Sequence, residues 1–124
     1  MESYLVDTHI FIWWLSEDKK LNKSTQKILK DPNSHIYVSI ATLWEISIKN
    51  TAGKLPLKTT ITEMVSFSGF ELLSINLSHV LNLGKLPIYH NDPFDRMLIA
   101  QAKAEGLTLL TDDRKIKKYD IKVI

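Results

Sequence analysis

Short apolar runs alternate with stretches of helical length along this chain, and no hairpin turn pair joins any two of the runs. Parallel strands need long crossover connections, usually helices, whereas antiparallel neighbours need only a tight turn. The pattern therefore restricts the fold to the α/β class, a central, mainly parallel sheet with helices on both faces. Residues 3–6, 36–38, 70–75, 108–110 and 121–124 read as the strands. Ile10, Phe11, Trp13 and Trp14 recur at helical spacing, and residues 24–30 read as a second helix closed by the turn Pro32-Asn33-Ser34. A helix led by Ser39 or Thr42 runs through Leu43, Trp44, Ile46 and Ile48 to Gly53. Pro56 opens a polar segment, and Thr60 or Thr62 starts a helix that stops before Gly69. Residues 78–83 form a short helix ended by Gly84. Pro93 suits the first turn of the helix over 94–105, with Gly106 where a C-cap belongs.

With 124 residues the chain is one domain, 1–124, able to bury roughly two-thirds of its unfolded surface. A hydrophobic content of 44% and a charged content of 24% exclude a disordered chain. The net charge of +2 makes no case for nucleic acid on its own. The basic stretch Arg114, Lys115, Lys117, Lys118 and Lys122 is either a solvated face or a phosphate contact. There is no cysteine, which excludes disulfides, thiolate zinc sites and a thiol nucleophile. His9, His35, His79 and His90 lack the i, i+4 spacing of a helical zinc motif and read as structural or surface residues. No basic leader precedes the first apolar run, and no run approaches the roughly 20 residues that span a bilayer. Cytoplasmic residence, away from any membrane, is the expectation.

The acids carry the chemistry. Asp7 directly follows Tyr4-Leu5-Val6, and Asp112 and Asp113 directly follow Leu109-Leu110-Thr111. In open parallel sheets ligands bind beyond the carboxyl ends of the strands, so both sites lie at one edge. Helix capping explains either alone, since Asp and Thr are favoured N-caps. Asp95 shares a helix face with Ile99 and Ala102, next to Leu98, where a carboxylate is costly unless paired or bound to a cation. A first-turn Asp paired with Arg96 or Lys103 is the alternative, and Asp92, just before Pro93, is the better cap. Glu45 stands beside a face marked by Ala41, Trp44 and Ile48, with Lys49 at i+4 as a possible surface partner. Trp44 reads as core, while Trp13 and Trp14 stay open among core, dimer contact and partner groove. Hard divalent cations such as Mg²⁺ prefer carboxylate oxygens, and a cation so held polarises a phosphodiester and acidifies a water. No Gly-rich phosphate loop and no Ser-His-Asp set competes with this chemistry.

These stretches resemble the PIN-domain ribonucleases, and closely the VapC-type toxins of toxin–antitoxin pairs. The matching segments are Leu5-Val6-Asp7-Thr8-His9, then Val38-Ser39 through Leu43-Trp44-Glu45-Ile46. The most specific is Asn91-Asp92-Pro93-Phe94-Asp95-Arg96-Met97-Leu98-Ile99-Ala100-Gln101-Ala102, followed by Leu109-Leu110-Thr111-Asp112-Asp113. The resemblance implies a three-layer α/β/α sandwich and an endoribonuclease dependent on Mg²⁺ or Mn²⁺. It assigns the catalytic acids to Asp7, Glu45, Asp95 and Asp113. Asp7 and Asp95 are then the metal ligands, with Glu45 and Asp113 completing the shell through water. Thr8, Thr111, Asp112 and Asp92 are supporting residues, and Asp112 leaves open which of the adjacent acids faces the metal. Arg96, Arg114 and Lys115 become candidates for RNA contact. A homodimer and an antitoxin that blocks the site are the implied partners. Two other readings were weighed: an inactive PIN-like module that holds RNA or protein, and an aspartate-based phosphatase. The phosphatase pattern needs an acid two residues after Asp7, and His9 stands there.

Overall fold

The computed structural model describes residues 2–53 and 58–124, so Pro56 lies outside the described residues. Its centre is a four-stranded sheet of β1 (Ser3–Val6), β2 (His35–Ser39), β3 (Glu71–Leu73) and β4 (Thr108–Leu110) in the order β3-β2-β1-β4. All three pairings are parallel, as the missing hairpin turns required. Among the described residues six α-helices supply the crossovers: α1 (Thr8–Ser16), α2 (Lys23–Lys30), α3 (Ile40–Thr51), α4 (Ile61–Ser68), α5 (Leu77–Leu83) and α6 (Pro93–Glu105). Among the described residues no helix is long and apolar enough to cross a membrane.

Successive strand residues point to opposite faces, and both faces are covered, so the central strands are apolar throughout rather than alternating. Tyr4, Val6, Ile36, Val38 and Leu110 pack with Phe11 of α1, Leu29 of α2, Ile46 of α3 and Met64 of α4. Leu5 and Leu109 face the other way, onto Leu98, Ile99 and Ala102 of α6 and Ile116 of the 3₁₀ turn Ile116–Lys118. The layers are α/β/α. Each fully buried Leu contributes about 1.5–3 kcal/mol by leaving water.

Local chemistry sets the element ends. The Oγ1 of Thr60 accepts from the amide of Glu63, whose carboxylate accepts from the amide of Thr60 in return, a capping box for α4. Gly106 ends α6 at φ 67°, a left-handed conformation that glycine adopts without a Cβ clash. Ser39 does two jobs between β2 and α3. Its Oγ accepts from the amide of Ala41 at 2.9 Å and donates to Oε1 of Gln101 on α6 at 2.5 Å, all in the interior.

Two expectations need correction. Residues 121–124 do not form a fifth strand: Val123 makes one parallel bridge to Leu109, supported by the amides of Leu109, Thr111 and Ile124. The face of α3 is also rotated from the reading through Trp44 and Ile48. Trp44 is 57% and Ile48 47% exposed, whereas Ala41, Thr42, Leu43, Glu45 and Ile46 are buried. Apolar residues occupy most of the first turns of α3, so their spacing could not choose between the two faces.

Ser39→Ala removes the cap of α3 and leaves the buried carbonyl of Gln101 unpaired. It should destabilise the protein by about 1–3 kcal/mol in urea denaturation. A loss within about 0.3 kcal/mol would show that the Ser39–Gln101 link does not hold α3 against α6.

Candidate metal centre

The strand order places β2 and β3 on one side of β1 and β4 on the other, so the chain changes direction at the β1–β4 junction. A crevice forms beyond the carboxyl ends of the strands at such a point. Asp7 leaves β1 there, and Thr111 and Asp113 follow β4 at the same edge.

Asp7 is 3% exposed and does both things its sequence position allowed. Its Oδ1 accepts from the amide of Ile10 at 2.8 Å, capping α1. Its Oδ2 accepts from the hydroxyl of Thr111 at 2.5 Å. The same Thr111 Oγ1 accepts from the amide of Asp113 at 3.0 Å, tying the ends of β1 and β4 together. Burial, opposed by these hydrogen bonds, pushes the Asp7 carboxyl above its ordinary range, and the charge of Asp113 adds to the push.

Glu45 lies on the buried face of α3 rather than beside it, 6% exposed. Thr8, the residue after Asp7, donates its hydroxyl to Glu45 Oε1 at 2.7 Å and lies 3.2 Å from the Thr42 hydroxyl. The Lys49 ammonium sits 2.8 Å from the other oxygen, so the i+4 pair exists but neutralises a buried carboxylate. The hydrogen bond that Lys49 donates to Glu45 raises the Lys49 pKa, with further Coulombic help from Glu45, Asp92 and Asp95. Lys49 thus faces the acids.

Asp92 caps α6, its Oδ1 accepting from the amides of Phe94 and Asp95 at 2.9 and 3.0 Å. That leaves the Asp95 side chain free of capping duty. Its pKa is pushed up to about 7, first by burial, then by the charges of Asp92, Asp7 and Glu45, while His90 opposes the shift. Asp92, Asp7 and Glu45 are thus the acids whose charge reaches Asp95. Asp113 behaves differently. Although burial works against it, the hydrogen bond from His90 and the amide of Lys115 hold its carboxyl below the ordinary value.

Asp112 is exposed, whereas Asp113 is half-buried and hydrogen-bonded to His90, a residue that sequence reasoning had set aside. His90 Nε2 lies 2.9 Å from Asp113 Oδ2 and 3.1 Å from Asp95 Oδ2. Testing the histidines only for zinc spacing missed it. The available signal was its position two residues before the cap Asp92, where a ring can reach back to the helix start. Arg96, expected at RNA, points elsewhere. Its guanidinium donates to the carbonyls of Leu83, Leu86, Pro87 and His90 and to the Tyr119 hydroxyl, fastening the 83–90 loop to α6. Arg114 and Lys115 are exposed next to Asp113.

The donor set is therefore hard carboxylate oxygen, partly desolvated and crowded, which suits a small divalent cation such as Mg²⁺. The PIN domain family model matches residues 4–122 of this sequence. The chain belongs to the PIN-domain family. It is 21% identical to ribonuclease VapC22 of Mycobacterium tuberculosis, over 96% of this chain and 93% of that protein. Among solved structures, the VapBC2 complex of Rickettsia felis bound to a promoter DNA fragment shares the fold with TM-score 0.74. The two are 17% identical, and the match covers 98% of this chain and 97% of that one. DNA-bound VapBC of Salmonella typhimurium matches with TM-score 0.73, also at 17% identity, covering 100% and 98%.

The crowding predicts a pH dependence. Asp95 has an ordinary value of 3.8 and one of about 7 in the folded chain, so the native state binds the extra proton between those limits. Metal-free stability should then fall as pH rises through that window, because the unfolded state holds fewer protons there. The upward shift of Asp7 acts in the same direction, while the downward shift of Asp113 acts only below its ordinary value of 3.8, where it makes stability rise with pH. Asp95→Asn should raise the melting temperature in chelator by a few degrees at pH 8 and by much less at pH 5. An equal loss of stability at both pH values would mark Asp95 as a structural ion-pair partner instead.

Proposed function

We propose that this PIN domain is a divalent-metal-dependent endoribonuclease and the toxin of a toxin–antitoxin pair. The observation that carries the reading is Asp95: a carboxylate with no capping task, raised to about 7 by burial and by Asp92, Asp7 and Glu45 around it. Natural proteins keep such self-repelling clusters where function needs them. The names of the relatives supply the substrate class: one is a ribonuclease, and the structural matches are toxin–antitoxin complexes.

Asp7 and Asp95 would hold Mg²⁺ or Mn²⁺, with Glu45 and Asp113 completing the shell through water. When bound, the cation supplies polarisation of the phosphodiester and a water acidic enough to attack near neutral pH. The protein does the rest. Thr111 fixes one Asp7 oxygen and Thr8 one Glu45 oxygen, so both acids present a set orientation before substrate arrives. Lys49 offsets the Glu45 charge. Arg114 and Lys115, exposed beside Asp113, are placed to meet backbone phosphates, a contact that steers without reading sequence. Arg96 takes no part in RNA contact, because its donors are used inside the chain. A homodimer in the cytoplasm, with an antitoxin covering the carboxylate crevice, completes the proposal.

Purified protein should cleave RNA in Mg²⁺ or Mn²⁺ and stop when the metal is chelated. Asp95→Asn should bring cleavage down to background while circular dichroism stays unchanged. Full RNase activity in that variant at matched purity would overturn the assignment.

A further inference from the structure

We infer that His90 is a positioning residue of the metal centre, acting as a hydrogen-bond donor that holds Asp113 in place and not as a ligand. The inference rests on the metal-centre reading above. His90 is 9% exposed, and its place in the fold is fixed from several sides. The amides of Tyr89 and His90 donate to the Tyr119 hydroxyl at 3.1 and 3.0 Å, and that hydroxyl donates to the Pro87 carbonyl at 2.8 Å. Arg96 Nη1 donates to the His90 carbonyl at 3.3 Å.

The ring is oriented just as firmly. The amide of Asp92 donates to His90 Nδ1 at 3.0 Å. A nitrogen that accepts a hydrogen bond carries a lone pair, so the ring proton belongs on Nε2. That nitrogen hydrogen-bonds Asp113 Oδ2 at 2.9 Å and lies 3.1 Å from Asp95 Oδ2. His90, Asp95 and Asp113 offer atoms within 4.8 Å of one another, a spacing an ion could bridge. With its proton on Nε2, however, His90 has no lone pair to give there. It stands between the two carboxylates as a donor, where their oxygens would otherwise repel.

The consequence falls on Asp113. Its Oδ1 accepts from the amide of Lys115 at 2.8 Å and its Oδ2 from His90, so the plane of the carboxylate is set by the pair. Asp113 sits after β4 on no regular element and its side chain is 34% exposed. Among the described residues, His90 is the hydrogen-bond partner that keeps Oδ2 in this orientation. Asp95, carried by α6, is held by its backbone in either case.

The test uses the intact chain without RNA. Mn²⁺ affinity is measured by calorimetry for the wild type, His90→Ala, His90→Gln, Asp113→Ala and the double variant. His90→Ala should weaken Mn²⁺ roughly tenfold or more, the size expected when a residue that orients a ligand is lost. His90→Gln, which keeps an N–H donor, should recover part of this, and the double variant should bind no more weakly than Asp113→Ala alone. In ¹⁵N spectra of the wild-type ring, Nε2 should stay protonated with and without Mg²⁺, a readout that does not depend on any variant folding. Deprotonation of Nε2 on adding Mg²⁺ would make His90 a ligand and overturn the inference. So would unchanged affinity in His90→Ala, or a double variant markedly weaker than Asp113→Ala. RNA cleavage by the same wild-type sample judges the nuclease proposal separately.

Discussion

Repulsion among partly desolvated carboxylates governs the rest of this molecule. Asp7, Glu45, Asp95 and Asp113 come from four separate parts of the chain, and we propose that they form one site. Coulomb energy between like charges a few ångströms apart is several kcal/mol where water is scarce. Each acid is therefore given something to hold it: Thr111 and an amide for Asp7, Thr8 and Lys49 for Glu45, His90 and an amide for Asp113. Asp95 is served least, its Oδ2 lying 3.1 Å from His90 Nε2, which hydrogen-bonds Asp113, and its pKa is pushed up to about 7. The remaining tension is the attraction for a cation.

The topology supports that reading. Because the strands are parallel, their carboxyl ends share an edge, and the reversal of strand order beside β1 opens the crevice there. The pieces that are not strands need separate fastening. Ser39 and Gln101 join α3 to α6 through the interior, which sets Glu45 relative to Asp95. Arg96 and Tyr119 fasten the loop that carries His90. Polar groups distant from any chemistry thus decide where the carboxylates stand.

Much of this was legible before any coordinates, for a physical reason: strand and helix ends are fixed by local chemistry. The acids at the ends of β1 and β4, the Pro93 start and Gly106 stop of α6, and the cap at Asp92 all follow from residues within a few positions of one another. What was not legible depended on long-range geometry. The rotation of α3, which buries Glu45 and exposes Trp44, is set by packing against β2 and α6, and apolar residues at six of the nine positions 40–48 leave two faces equally open to the sequence. The segment 121–124 has strand-forming residues but reaches β4 for only one bridge. His90 and Arg96 looked interchangeable with any loop histidine or surface arginine. Their roles come from partners such as Asp113 and Tyr119, more than 20 positions away.

The proposal is spatial: Asp7, Glu45, Asp95 and Asp113 would enclose a single divalent cation. Anomalous scattering from crystals soaked in Mn²⁺ tests it most directly, since the metal's own signal locates it without reference to activity. The account predicts one dominant peak bounded by the carboxylates of Asp7 and Asp95, with Glu45 and Asp113 facing it. A strong peak elsewhere on the protein, with none in that crevice at saturating Mn²⁺, would contradict it.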